Sequence, residues 1–254
     1  MLYHYRFYLK NKGGEQKNSA QNSKISIYIG ANDQTRKEIT PFISGKKKIY
    51  GIDIAKYRYD KFKKFPLLGS ISYAFINATE GIKRINPNFY KEWGIASQHQ
   101  LYKGAYHFYR NNANPIKQAD FFYKTIQPVI NSNSLPPVLD VEALGFSDTN
   151  YAKNSYQERV LKFLNRIEKL TKRTPIIYTN YNFGEKFFTK KEFSKFPLWI
   201  ADYNNSDTPR IPDIWKDTGW LFWQKTNRYD VDTTLFDLDL FNGNANQMQQ
   251  LNTQ

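Results

Sequence analysis

From residue 49 onward the chain alternates short apolar runs with longer amphipathic segments. The runs are IYGIDI (49–54), SYAFINAT (72–79), KGAYHFY (103–109), PPVLDVE (136–142), TPIIYTN (174–180), PLWIAD (197–202), GWLFWQK (219–225) and LFDLDLF (235–241). Each has the length and β-branched or aromatic content of a buried strand. The first five gaps carry helical spacing. It is clearest in YQERVLKFLNRIEKL (156–170), where Val160, Leu161, Phe163, Leu164, Ile167 and Leu170 recur on a helical period. Between 180 and 235 the gaps are more irregular. Strands alternating with helices predict a parallel sheet with right-handed crossovers. Eight such strands predict closure into an α/β barrel, irregular over its last three strands. A doubly wound open sheet is the alternative, but GIDIAKY after the first strand is not a G-x-G-x-x-G phosphate loop.

Residues 1–48 follow a different pattern. They are polar and basic between the short apolar pieces KISIYIG and ITPFISG. They read as an N-terminal extension, partly disordered or forming a short hairpin, ahead of a barrel over 49–254. The stretch MLYHYRFYLKNKGG lacks the apolar core and small-residue cleavage site of a signal peptide, which leaves the export route open. No run approaches about 18 apolar residues, so no membrane-spanning helix is expected.

Charge and composition narrow the chemistry. The net charge of +14 favours polyanionic partners (nucleic acid, anionic lipid or the anionic polymers of a cell wall), though the basic residues form short runs and no long basic arm. With no cysteine there is no disulfide framework and no thiolate nucleophile or metal ligand. The three histidines, His4, His99 and His107, are too scattered for a zinc site. The acid-rich DVDTTLFDLD places Leu235 and Phe241 where a calcium loop needs Gly and Glu. No metal and no cofactor is expected. Aromatics make up 17% of the chain, enough to fill a core and also to offer sugar-stacking faces.

The most informative stretch is PPVLDVE. Strand side chains alternate, so Val138, Asp140 and Glu142 share one face and Leu139 and Val141 the other. In a barrel the carboxylates then emerge inside, at the C-terminal mouth where catalytic groups sit. Their Cα atoms are roughly 6–7 Å apart. Two acids that close, partly desolvated, push their pKa values apart, so one can serve as a proton donor. Other strand ends repeat the theme with Asp53, Glu80, Asp202, Gln224 and Asp237. His107 reads as a satisfied core residue.

The order GID (51–53), FINATEG (75–81), GAYHFY (104–109), PVLDVE (137–142), PIIYTN (175–180), LWIADY (198–203), FWQ (222–224) and FDLDLFNG (236–243) resembles the glycoside hydrolase family 25 muramidases, over about residues 49–243. The resemblance implies a TIM-like barrel of five β/α units followed by three further strands. It implies cleavage of the β-1,4 bond between N-acetylmuramic acid and N-acetylglucosamine in peptidoglycan, by a monomer acting on the wall, secreted or periplasmic. It places the general acid on Glu142, its partner on Asp140, and supporting carboxylates on Asp53 and Asp237. A substrate-assisted, retaining route is favoured, with Asp140 steering the 2-acetamido group. Tyr106, Tyr178, Trp199, Tyr203 and Trp223 are candidates to line the groove, with Glu80, Asp202 and Gln224 beside them.

The sequence departs from that family at Ala55 and Lys56 (often Ser and His), Asn77 (often Lys), Asp202 (usually His or Glu) and Asp239 (usually Asn). These bear on substrate preference and pH optimum. Two rival readings exist. A chitinase-like hydrolase also uses D-x-E on a barrel strand, but normally with more acids upstream, where Leu135 to Leu139 are apolar or proline. A non-catalytic glycan-binding barrel would not need Asp53, Asp140, Glu142 and Asp237 together.

Overall fold

The computed structural model describes residues 27–29, 37–39, 48–55, 59–63, 70–142, 150–231 and 234–253. In the N-terminal segment, strands β1 (Ile27–Ile29) and β2 (Lys37–Ile39) pair antiparallel. The rest of the predicted extension lies outside the described residues.

The barrel runs through β3 (Ile49–Ile54), α1 (Tyr59–Lys63), β4 (Tyr73–Glu80), the short β5 (Arg84–Ile85), α2 (Phe89–Gln98), β6 (Tyr102–Phe108), α3 (Pro115–Ile126), β7 (Val138–Asp140), α4 (Asn150–Thr171), β8 (Ile176–Asn180), α5 (Tyr181–Phe187), β9 (Leu198–Ala201), β10 (Phe222–Val231), β11 (Thr234–Phe241) and α6 (Ala245–Thr253). Around the ring the order is β3-β11-β10-β9-β8-β7-β6-β4, and β4 pairs back onto β3 to close it. All the ring strands run parallel except β11, which is antiparallel to both neighbours. Its reversal has a simple cause. Only residues 232 and 233 separate it from β10, too few for the crossover that a parallel strand requires. After α5, 3₁₀ turns at Lys191–Lys195 and Asp213–Trp215 stand in for full helices, the irregularity that the sequence pattern anticipates.

Alternation sorts the strand residues into two layers. Leu139, Val141, Ile177, Ile200 and Leu238 face outward and pack with Val160, Phe163, Leu164 and Ile167 of α4 and with the other helices. Tyr73, Phe75, Val138, Trp199, Phe222, Phe241 and Met248 fill the interior. Phe75 stacks on Trp199 with ring centroids 4.6 Å apart, and Phe222 meets Phe75 edge-on at 5.0 Å. Two glycines make room for this plug. A Cβ at Gly51 would sit 2.4 Å from the Tyr73 ring, and one at Gly104 would sit 2.3 Å from the Phe75 ring. Helix α6 has no strong periodic signal, because ANQMQQLNT contributes only Met248 and Leu251 as large apolar side chains. Met248 is nonetheless fully buried in the interior cluster.

His107 faces outward, as a core residue should. It sits 2.7 Å from Thr79 Oγ1 and 3.2 Å from Gln118 Oε1, stacked on Phe163. Burial holds its pKa down at about 4, so it is neutral.

Candidate active site

At the C-terminal end of the strands the interior changes character. The parallel register brings Asp140 level with Phe108 on one side and Tyr178 on the other. On the closing strands Asp237 lies directly opposite Asp53. These residues, with Glu142, Tyr106, Trp199, Tyr203, Gln224 and Asn227, line a cavity of about 390 Å³ that opens at the mouth. Asp53, Asp140, Glu142 and Asp237, four positions taken from three separate motifs, thus meet in one place.

The electrostatics follow from crowding acids where water is scarce. Burial, then the charges of Asp237 and Asp239, push Asp53 well above the usual carboxylate range. Burial and the charge of Glu142 do the same to Asp140, against a smaller opposing pull from the Arg110 guanidinium. Glu142 is also raised, first by burial and then by Asp237. Acids raised together at this range titrate as a coupled set rather than one by one. Asp140 Oδ1 is buried and accepts no hydrogen bond among the described residues, an expensive state for a carboxylate unless a ligand supplies the donor.

Gln224 organises the far wall. Its Nε2 donates to Asp53 Oδ2 at 2.6 Å, and its Oε1 accepts from Tyr178 (2.9 Å) and Tyr203 (2.6 Å). The two tyrosines therefore fix the amide's orientation, and the amide fixes Asp53. Trp199 Nε1 donates to Asp239 Oδ1 at 2.8 Å, and the indole forms part of the cavity floor. Tyr106 donates to the Ile54 carbonyl at 3.3 Å.

Three of the expected site residues do not line this cavity. Trp223 is fully buried in the helix-facing layer, and its Nε1 donates to the Asp202 carbonyl at 2.8 Å. The reason is phase: Gln224 points in, so its neighbour points out. Glu80 is held by Arg84 and Arg110, each 2.6 Å from its Oε1. Asp202 is clamped by Arg210, with Nη2 at 2.6 Å. Both acids sit at strand ends as expected, but each is engaged with arginine. Phe108 and Asn227 line the cavity and Arg110 acts on Asp140 without being expected from the sequence, where Asp239 figures only as a family departure. Asp239 could have been found, since it shares the inward phase of Asp237.

The chain matches the model of glycosyl hydrolases family 25 over residues 52–233. It is 31% identical over 211 residues to the uncharacterized protein YegX of Escherichia coli K12, covering 79% of this chain and 72% of that protein. Lysozyme M1 of Streptomyces globisporus is 28% identical over 80% of this chain and 71% of its own. Among solved structures, the bacterial lysozyme from Streptomyces coelicolor superposes with a TM-score of 0.70 at 25% identity, over 82% of this chain and 99% of that one. On the barrel, its carboxylate-lined mouth and these likenesses, the chain belongs to glycosyl hydrolases family 25.

Proposed function

We propose that this cleft hydrolyses the β-1,4 bond between N-acetylmuramic acid and N-acetylglucosamine in peptidoglycan with retention, using the substrate's own acetamido oxygen as nucleophile. The observation that carries the assignment is Asp140, buried beside Glu142 at the barrel mouth with Oδ1 unpartnered among the described residues. An acetamido N–H is a donor that suits it. In the free protein burial raises the pKa of both Asp140 and Glu142, with the charge of Glu142 adding to the first and that of Asp237 to the second. A hydrogen bond from the acetamido N–H favours the Asp140 carboxylate and leaves the proton on Glu142.

The reaction then follows. Glu142 protonates the glycosidic oxygen as the bond to the anomeric carbon breaks. The acetamido carbonyl oxygen attacks that carbon, forming an oxazolinium ring whose N–H is held by Asp140. Water, deprotonated by Glu142, opens the ring from the opposite side and restores the original configuration. Asp53, oriented through Gln224, and Asp237 opposite it stabilise the positive charge or position Asp140. Tyr106, Tyr178, Trp199 and Tyr203 offer apolar faces to the sugars. The protein acts as a monomer on the wall, outside the cytoplasmic membrane, and its net charge of +14 draws it to anionic wall polymers.

The test is to incubate the protein with purified peptidoglycan and with chitin, and to identify the new reducing end by mass spectrometry. Release of muropeptides ending in reducing N-acetylmuramic acid is expected. A new N-acetylglucosamine end, or cleavage of chitin alone, overturns the assignment.

A further inference from the structure

A second cavity of about 530 Å³ adjoins the catalytic one and shares Glu142, Tyr203 and Asn227 with it. Its chemistry is different. The first is acidic. The second is lined mainly by side-chain amides, two tyrosines and a guanidinium, with Asp202 and the shared Glu142 as its acids among the described residues. Asp202, 3% exposed, grips Arg210 through Nε at 3.1 Å and Nη2 at 2.6 Å, and also accepts the Arg210 backbone N–H at 2.8 Å. The guanidinium lies over the Tyr181 ring, 4.4 Å from its centroid. Arg210 is thus held at one edge and on one face, while its Nη1 edge makes no hydrogen bond among the described residues and its side chain is 56% exposed. Asn182 and Asn227, also exposed, spend no side-chain amide on the described protein.

We propose that this cavity is a subsite for the anionic peptide substituent of the glycan, with Arg210 binding a carboxylate, Asn182 and Asn227 binding peptide groups, and Asp202 acting as the positioning residue for Arg210. The inference rests on the muramidase reading, because muramic acid is the sugar that carries a peptide through its lactyl group. A free guanidinium edge is a bidentate carboxylate receptor. Side-chain amides supply both donor and acceptor, which peptide groups need. The location adds a geometric reason. A cavity sharing Glu142 is reached by a substituent on a sugar bound at the scissile bond.

Asp202 also gains an explanation. A buried acid at the end of β9 reads as a candidate substrate contact, yet its oxygens are spent on Arg210 and Asn204. It acts through the arginine.

The test compares kcat and KM on three glycans: peptide-bearing strands, the same strands stripped of peptide by an amidase, and strands whose peptide carboxylates are amidated. Arg210→Gln is expected to raise KM on peptide-bearing strands by about tenfold relative to its effect on stripped strands, the size of one charge-assisted hydrogen bond. Amidated strands should show the smaller effect. Asp202→Asn, which keeps the arginine but loosens it, should give the same selectivity in weaker form, and Asn227→Ala a loss on both peptide-bearing substrates. Equal losses on all three glycans, or no loss on any, overturn the subsite. If wild-type protein cleaves none of them, the muramidase reading itself fails, a result distinct from an intact activity with no peptide dependence.

Discussion

The two ends of the barrel use the same strands and the same inward phase, yet they are opposites. On β7, Val138 belongs to the aromatic plug, and Asp140, two residues on, belongs to the acidic cleft. On β4, Tyr73 and Phe75 close the lower interior. On β11, Phe241 does so while Asp237 and Asp239 stand nearer the mouth. Below, Phe75, Trp199 and Phe222 leave no room for water and give the strands their apolar anchor. Above, four carboxyl groups crowd a space that solvent and substrate must reach. The contrast teaches that the plug supplies the rigidity and the mouth carries the cost. Acids with raised pKa values and an unpartnered oxygen cost stability, and the densely packed end below helps to offset it.

That comparison can be broken from either end. The largest effect belongs to Glu142→Gln, which should cut kcat/KM on peptidoglycan by about 10²–10⁴-fold, the span of general acid catalysis, with the melting temperature unchanged or higher. A variant with near wild-type turnover would remove Glu142 from the chemistry. At the closed end, Phe75→Ala should cost about 3–5 kcal/mol in denaturant unfolding, since the ring is fully buried and stacked on Trp199. A loss under about 1 kcal/mol would mean the plug is not the anchor. Asp140→Asn should lower kcat by about 10²–10³-fold while leaving stability equal or improved, because it replaces a buried carboxyl that has an unpartnered oxygen. Loss of both activity and stability would make Asp140 a structural residue instead.

A smaller effect lies away from the mouth, on α2. Glu92 is fully buried, receives one hydrogen bond from Asn86 Nδ2 at 2.7 Å, and has Oε1 unpartnered among the described residues. Burial raises its pKa to about 7. The folded state therefore binds this proton more tightly than the unfolded chain, so stability falls as pH rises between the two pKa values. Glu92→Gln should remove that decline and gain about 2–3 kcal/mol at pH 8 relative to pH 5. Parallel pH–stability curves for the two proteins would refute it.

Much of this architecture is readable in the amino-acid order, and the exceptions have physical causes. IYGIDI at 49–54 is strand β3 to the residue. Val138 with Asp140 points inward, as period-two alternation requires. Trp199, whose alternation with Ala201 is ambiguous by composition, faces in because the barrel interior there is wide enough for an indole above Phe75. Trp223 goes the other way, since composition makes any aromatic next to a polar strand end look like a sugar platform, whereas phase alone decides its face. The arginines were invisible for another reason. Arg110 and Arg210 lie in loops, 30 and eight residues from the acids they hold, and no periodicity links such pairs. Helix α6 escaped because its burial depends on Met248 meeting the open lower end of the barrel, a tertiary fact.

The central claim is that Asp140 and Glu142 play unequal parts, one steering the acetamido group and the other moving the proton. The most direct measurement is the anomeric configuration of the first product, followed by proton NMR on a soluble peptidoglycan fragment before mutarotation. The account predicts the β anomer first, with the α form growing in later. The α anomer as initial product would mean direct attack by water and would contradict it.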